Sequence, residues 1–145
     1  MATTSSDAQQ EVGLFQVNYL VGTGEPGALE LTLRLQVSTP NKHVEGSARL
    51  FEPVQPVLDN HYSVSGAYYF ISWMGGSRIR VDLTGRRKEL EAEQPGIEPL
   101  SPLSIELSLL TDWSSGVAQY RYLDAHGQSK VVTDVPVKRI PPEAN

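Results

Sequence analysis

The chain has 145 residues, 39% of them hydrophobic, which suffices for one domain that buries a core of its own. It contains no cysteine, and this excludes disulfides, thiolate metal sites, iron–sulfur clusters and cysteine nucleophiles. The net charge of −5 argues against nucleic-acid binding, which needs a cationic surface.

The first segment, residues 1–11, is small and polar, and we predict a disordered N-terminal tail there. It has neither the basic start nor the apolar stretch of a secretory signal, and no run approaches the ~18–20 apolar residues of a membrane span. We therefore expect a cytoplasmic protein without a membrane span, with signal-independent export left open. Residues 12–138 are predicted to form a single β domain, and 139–145 a C-terminal tail.

Alternation of apolar and polar side chains predicts that most of the chain is extended. The clearest run is 29–38, where five leucines or valines alternate with five polar residues. Such a period of two is typical of a strand with one buried and one solvated face. Weaker copies predict eight strands, at 12–21, 28–38, 43–51, 61–74, 77–84, 103–110, 117–123 and 129–137.

The fourth predicted strand loses its alternation in its second half. Residues 68–71 and 73–74 are all aromatic or apolar, which is typical of a strand covered on both faces. Gly66 suits a bend between the two halves, and the small residues Gly46 and Ala48 of the third strand indicate a close approach by a neighbour.

The connections indicate how the strands are arranged. Gly75-Gly76 is typical of a hairpin turn, and Thr39-Pro40-Asn41-Lys42 of a tight turn. Segment 85–102 is the longest without a strand, and 86–94 within it has the composition for two helical turns. Because the other connections are short, neighbouring strands are expected to be antiparallel. We predict an all-β domain of about eight strands, either a meander-type barrel or a two-sheet sandwich.

Four stretches of the chain resemble a known family. They are Gly13–Tyr19, Leu29–Val37, Val44–Gly46, and Asp112–Gly116 leading into Tyr120–Tyr122. Together, over residues 13–123, they resemble the uncharacterised bacterial family called domain of unknown function 1842. The resemblance implies a bacterial origin and an all-β fold. It implies no activity, cofactor or site residue.

Few polar side chains suggest chemistry. The histidines, His43, His61 and His126, lie at strand edges or turns. His61 has one nearby acid, Asp59, and His126 has one, Asp124. A catalytic zinc takes three protein ligands, so we predict no metal site and no cofactor. The chain has no Gly-x-Ser-x-Gly elbow and no identifiable nucleophile–base pair, so we predict that it is not an enzyme.

The aromatic residues are the strongest functional signal. We single out Tyr69, Ile71, Trp73 and the turn residue Trp113 as candidate ligand or interface residues, since exposed aromatics stack on sugars or anchor protein interfaces. The alternative is structural: Tyr68 and Phe70 fill the core, while Tyr69, Ile71 and Trp73 lie under segment 85–102.

These observations favour a non-enzymatic binding or interaction module. Its partner is a protein, a glycan or a second copy in a homodimer, and the sequence does not distinguish among them. One alternative is a carrier with a barrel cavity for a small apolar ligand. Another is a glycan-binding, lectin-like protein.

Overall fold

The computed structural model describes residues 13–54, 56–87 and 103–142. The expected disordered tail at 1–11 and most of segment 85–102 lie outside these ranges. The described chain forms eight strands: β1 Leu14–Val21, β2 Glu30–Ser38, β3 His43–Glu52, β4 Leu58–Trp73, β5 Gly76–Arg87, β6 Leu103–Leu109, β7 Ser115–Leu123 and β8 Ser129–Ile140. Within those ranges no residue is helical, so none belongs to an apolar helix of membrane-crossing length.

The strands close into one antiparallel barrel in chain order. Each strand pairs with its neighbours in sequence, and β8 pairs with β1 along a short seam from Asn18↔Ile140 to Val21↔Val137. The all-β prediction is confirmed, and of the two predicted architectures the chain adopts the barrel. The seam joins four residues of each strand, Asn18 to Val21 of β1 and Val137 to Ile140 of β8.

β8 extends past the position at which the sequence suggests it ends. Pro136 cannot donate a ladder hydrogen bond, so a strand end near residue 137 was the expectation. The nitrogen of Pro136 faces β1, where it lies one position beyond the last ladder pair, Val21 with Val137. The Pro136 carbonyl still accepts a bond from the Gly22 N–H at 3.0 Å. The proline therefore removes a donor only beyond the end of the β1–β8 ladder, and the strand continues to Ile140.

The interior of the barrel contains the alternate apolar side chains of every strand. In β2, Leu31, Leu33, Leu35 and Val37 are at most 1% exposed, and the intervening residues lie on the outer wall. β6 repeats the arrangement with Leu103, Ile105, Leu107 and Leu109. An eight-stranded barrel is just wide enough for such side chains to fill, and each buried leucine contributes roughly 1.5–3 kcal/mol.

Inward-facing glycines, Gly46 and Gly66 among them, allow the strands to coil tightly enough for closure. A Cβ on Gly46 would overlap the carbonyl oxygen of Arg34, and a Cβ on Gly66 would overlap that of Asp82. Gly46 faces Leu35 of β2, and Gly66 faces Leu83 of β5. The close backbone approach predicted for Gly46 is confirmed, and Gly66 makes the same kind of approach, which is typical of the glycines at which barrels turn their corners.

β5 continues to Arg87, beyond the predicted end at residue 84. Arg86 and Arg87 pair with Ser63 and Tyr62 of β4, so the helical turns expected to start at residue 86 do not form there. The ladder contributes main-chain bonds that two residues of helical propensity cannot match. The rest of that expectation, residues 88–94, lies outside the described chain.

Candidate functional site

The paired ends of β4 and β5 extend beyond their neighbours at one end of the barrel. The ladder between β3 and β4 ends at His43↔Ala67, and the ladder between β5 and β6 ends at Ile79↔Leu109. From there to the turn at Met74-Gly75, β4 and β5 pair only with each other in the described structure. We call residues 69–78 the β4–β5 ribbon.

The ribbon exposes most of its large apolar side chains. The exposed fractions are 40% for Tyr69, 55% for Phe70, 37% for Ile71, 53% for Trp73 and 106% for Met74. Three of the four candidate residues thus share the outward face of β4. The expectation that these three lie under segment 85–102 concerns residues that lie mostly outside the described chain. The expectation that Phe70 fills the core is wrong, because the strands that would enclose it end earlier.

Trp113, the fourth candidate, is placed differently. It is 6% exposed and makes edge-to-face contacts with Phe15 and Tyr68, with ring centroids 5.4 and 5.1 Å apart. The sequence predicts Trp113 as a ligand or interface residue, but the structure packs its ring across the end of the barrel. A φ of 65° at Trp113, rare for a bulky residue, turns the side chain inward.

Tyr68 connects this buried cluster to the ribbon. Its ring also meets Phe70 edge to face at 6.0 Å, so the ribbon starts on a packed aromatic base. The Lys42 ammonium lies 5.5 Å from the ring centroids of both Tyr68 and Phe70. Sequence reasoning missed Phe70 and Met74 as surface residues and Lys42 as their neighbour. The uninterrupted apolar run at 68–71 is the signal for them in the sequence, but such a run is also typical of a strand buried on both faces.

A polar chain on the outer wall holds Tyr69 in place. The Tyr69 hydroxyl donates to Asp82 Oδ2 at 2.9 Å, and Arg80 Nε donates to Asp82 Oδ1 at 2.8 Å. Arg80 also pairs with Glu106 on β6 at 3.1 Å. The hydrogen bond to Asp82 raises the pKa of the Tyr69 hydroxyl. Arg80 is therefore neutralised by acids, and the ring of Tyr69 is held at the base of the ribbon.

The β3-side edge of the ribbon presents unpaired main-chain groups. The Tyr68 N–H donates to the Lys42 carbonyl at 3.1 Å, which shows that even-numbered β4 residues point toward β3. By alternation, the N–H and C=O groups of Phe70 and Ser72 point to the same side, where the described chain offers no strand. Residues 69–73 contain no charge and no proline, the usual protection of a free edge.

Two of the three histidines, His43 and His61, lie in ordinary surface pairs, and His126 is exposed in a turn. His43 Nε2 is 3.1 Å from Glu45, and His61 Nε2 is 3.5 Å from Asp59. Asp59 is also bound by both guanidinium arms of Arg49 at 2.9 Å, and that hydrogen bonding lowers the pKa of the carboxyl. Within the described ranges no three His, Cys, Asp or Glu side chains form a group that could hold a metal.

Two adjoining hollows lie on the outer wall of the barrel. The larger, of about 700 Å³, spans β1 to β5 and is lined by polar side chains such as Gln36, Glu45 and Ser65. The smaller, of about 430 Å³, includes Thr32, Ser47 and His61. Both include Arg34, so they form one polar trough separate from the apolar ribbon.

Comparison with known proteins gives a family for the domain but no function. The family model described as Domain of unknown function (DUF1842) matches residues 12–127. No curated protein matches the chain.

Proposed function

The chain belongs to the DUF1842 family, whose description assigns no activity, and from the geometry of the ribbon we propose that it is a non-enzymatic protein-interaction module. The contact surface is the β4–β5 ribbon. Its bound partner is a polypeptide that covers the apolar side chains and pairs with the open strand edge.

The observation that carries the proposal is the exposure of five large apolar side chains within six consecutive residues, 69–74. Contiguous exposed apolar surface on a folded domain marks an interaction site, since leaving it in water costs about 25 cal/mol per Å². Aromatic residues also lose little conformational entropy on binding, which suits them as anchors. A polypeptide partner satisfies both the side chains and the free main-chain groups of Phe70 and Ser72.

Several features support a non-enzymatic role. Several acids of the described surface are engaged in paired or turn contacts, such as Asp59 with Arg49 and Asp124 with the backbone N–H of His126. The pKa values raised chiefly by burial belong to tyrosines of the packed core, Tyr19, Tyr68, Tyr120 and Tyr122. This arrangement favours binding over catalysis.

The carrier alternative receives less support. It requires an open interior, whereas the inward side chains of β2 and β6 pack into one buried cluster. The hollows described above lie on the outer wall. A glycan remains a competing ligand for Trp73, since an exposed indole stacks on sugar rings as readily as it anchors a protein.

The test compares three proteins: the native chain, a ribbon variant with Ile71→Ser and Trp73→Ser, and a control with Val117→Ser and Val131→Ser. Val117 and Val131 are 45% and 53% exposed on β7 and β8, so the control removes similar apolar surface elsewhere. Photo-cross-linking, mapped by mass spectrometry, identifies any polypeptide held at residues 69–78, whether foreign or another copy. A glycan array is screened in parallel.

We expect the native chain and the control to hold a polypeptide, cross-linked to the ribbon, that the ribbon variant loses. If all three proteins behave alike, the ribbon is not an interaction surface and the proposal is wrong. If no polypeptide is held at the ribbon and the chain binds a glycan that the Trp73→Ala variant does not bind, the function is sugar binding.

A further inference from the structure

We propose that the ribbon's partner is a second copy of this chain, joined edge to edge through β4 with a twofold axis at Ile71. The two ribbons then form one four-stranded antiparallel sheet in the order β5–β4–β4–β5. This inference rests on the proposed function and names its partner.

The first support is the self-complementary hydrogen-bonding pattern of the open edge. Phe70 and Ser72 are the two residues of 69–73 whose main-chain groups point outward. With Ile71 on the twofold axis, Phe70 of one copy faces Ser72 of the other. Each such pair exchanges two N–H···O bonds, because it is a hydrogen-bonded pair of an antiparallel ladder. The two pairs give four bonds and satisfy every outward group of this segment.

The second support is the length of the open edge, which determines the register. β3 occupies the edge up to Ala67, and the Lys42 carbonyl accepts the Tyr68 N–H. The free stretch therefore runs from Tyr69 to the turn after Trp73, and its midpoint is Ile71. An axis nearer the barrel drives the partner's turn into β3, and an axis nearer the turn leaves outward groups unpaired.

The side chains agree with this register. Tyr69 of each copy faces Trp73 of the other on the outward face, with Ile71 against Ile71 between them. Aromatic pairs of this kind stabilise antiparallel strands, and a non-hydrogen-bonded central pair brings its side chains closest. The dimer therefore covers all three of the outward-facing residues predicted from the sequence as interface candidates.

The available area is sufficient for a specific but modest dimer. At roughly 150–250 Å² for a fully accessible aromatic side chain, the five exposed ribbon residues, three of them aromatic, offer roughly 500 Å² per copy. Two copies can therefore bury at most roughly 1,000 Å² in total, at the lower end of specific interfaces. We therefore expect reversible association with a Kd of about a micromolar or weaker.

The charge distribution permits the pairing. Arg78, which pairs with Ile71 across the hairpin, is the only charged residue of the ribbon. In the assembled sheet the two Arg78 side chains are separated by three inter-strand spacings, roughly 14 Å, which exceeds the screening length of about 8 Å at physiological salt. Like-charge repulsion therefore does not oppose the dimer.

The decisive experiment uses the absence of cysteine from the native chain. Ile71→Cys places the new thiols in the central pair, where Cα atoms are about 4.5 Å apart, within the range of a disulfide. We expect a covalent dimer under mild oxidation. Trp73→Cys and Val117→Cys are the controls, because residue 73 faces residue 69 of the other copy and Val117 is exposed on β7. Equal cross-linking of all three variants, or none for Ile71→Cys, overturns the register.

A second experiment tests the main-chain bonds without changing the apolar surface. Ser72→Pro removes an outward N–H from the β3-side edge, whereas Ser77→Pro, directly opposite, removes one from the other edge of the same ribbon. Sedimentation at about 1–100 μM brackets the expected Kd. We expect Ser72→Pro to weaken dimerisation at least tenfold and Ser77→Pro to leave it near the native value. Equal effects of the two variants contradict edge pairing.

The outcomes separate this inference from the proposed function. A native chain that stays monomeric across the range but holds a foreign polypeptide at residues 69–78 rejects the homodimer and retains the interaction module. A monomer that holds nothing at the ribbon rejects both. Circular dichroism of each variant confirms that the barrel is intact before its association is measured.

Discussion

Tyr19 and Trp113, 94 residues apart in sequence, are joined by a hydrogen bond from the Tyr19 hydroxyl to the Trp113 carbonyl oxygen at 2.9 Å. Tyr19 lies inside the barrel on β1, and Trp113 belongs to the turn between β6 and β7. The bond holds the turn over the end of the barrel, so that the indole packs on Phe15 and Tyr68. The same cluster supports the base of the ribbon.

Removing the Tyr19 hydroxyl should destabilise the barrel measurably. We expect Tyr19→Phe to lower the free energy of unfolding by about 0.5–1.5 kcal/mol, since it leaves the Trp113 carbonyl unpaired. Urea denaturation measures this at neutral pH. Tyr120→Phe is the control, because it removes another largely buried hydroxyl for which no hydrogen bond occurs within the described chain. Equal losses in both variants would contradict a role for the bond.

Alkaline pH should also destabilise the fold. Burial raises the pKa of the Tyr19 and Tyr120 hydroxyls above the ordinary value near 10. A raised folded pKa means that stability is fully present below the unfolded pKa and is lost as pH rises through the folded pKa. We expect the free energy of unfolding to fall above about pH 10, less steeply in Tyr19→Phe. Urea midpoints between pH 8 and 11 check this, and unchanged slopes would argue against burial of the hydroxyl.

Truncation of the two tryptophans should affect the free energy of unfolding very differently. Trp113→Ala removes a buried, packed side chain and should cost about 3–5 kcal/mol. Trp73→Ala, on the exposed ribbon, should change the stability of the monomer by no more than about 0.5 kcal/mol. Denaturation monitored by circular dichroism, at concentrations too low for association, measures both. Similar losses would mean that Trp73 belongs to the core.

Glycine at the barrel corners should be indispensable to close packing. Gly46→Ala and Gly66→Ala each push a methyl group into a neighbouring carbonyl oxygen, so each should cost about 1–3 kcal/mol. Ser47→Ala, adjacent on β3 but on the outer wall, is the matched control and should be nearly neutral. Thermal unfolding of the three variants gives the comparison. A neutral Gly46→Ala would show that the strand can coil without glycine.

The surface pair of Arg49 and Asp59 should contribute little despite its good geometry. Both side chains are partly exposed, so Asp59→Asn should cost less than about 1 kcal/mol at neutral pH. Hydrogen bonding to Arg49 lowers the pKa of Asp59, so its contribution is present above the unfolded pKa and is lost as pH falls through the folded pKa. Native chain and variant should therefore converge in acid, and a difference that persists there would contradict this assignment.

The alternation of apolar and polar residues predicts the strands well where one face is buried and the other is solvated. The second strand was expected at 28–38 and lies at Glu30–Ser38, because alternation reports directly on which side chains face a core. The boundaries of β5 and β8 shifted by three residues at their ends, where ladder bonds to a neighbouring strand outweigh local propensity. The choice between barrel and sandwich was not accessible, since it depends on the pairing of Asn18 with Ile140 across the whole chain.

The candidate site was predicted in part. Aromatic density identified Tyr69, Ile71 and Trp73, which the structure brings together on one face of the ribbon, and it could not separate them from Trp113, which the structure buries. Composition alone does not distinguish an aromatic residue in the core from one on the surface. Only the lengths of the neighbouring strands reveal which side chains are enclosed.

By itself, the sequence determined the eight strands, the inward-facing set and the absence of disulfides, because side-chain periodicity and cysteine content are local properties of the chain. The tertiary structure decided that the strands close into a barrel, that Trp113 packs across its end, and that residues 69–73 project with an open edge. Each of these depends on how far one strand extends relative to a partner distant in sequence. That relation is set by the register of the whole sheet, and no single segment encodes it.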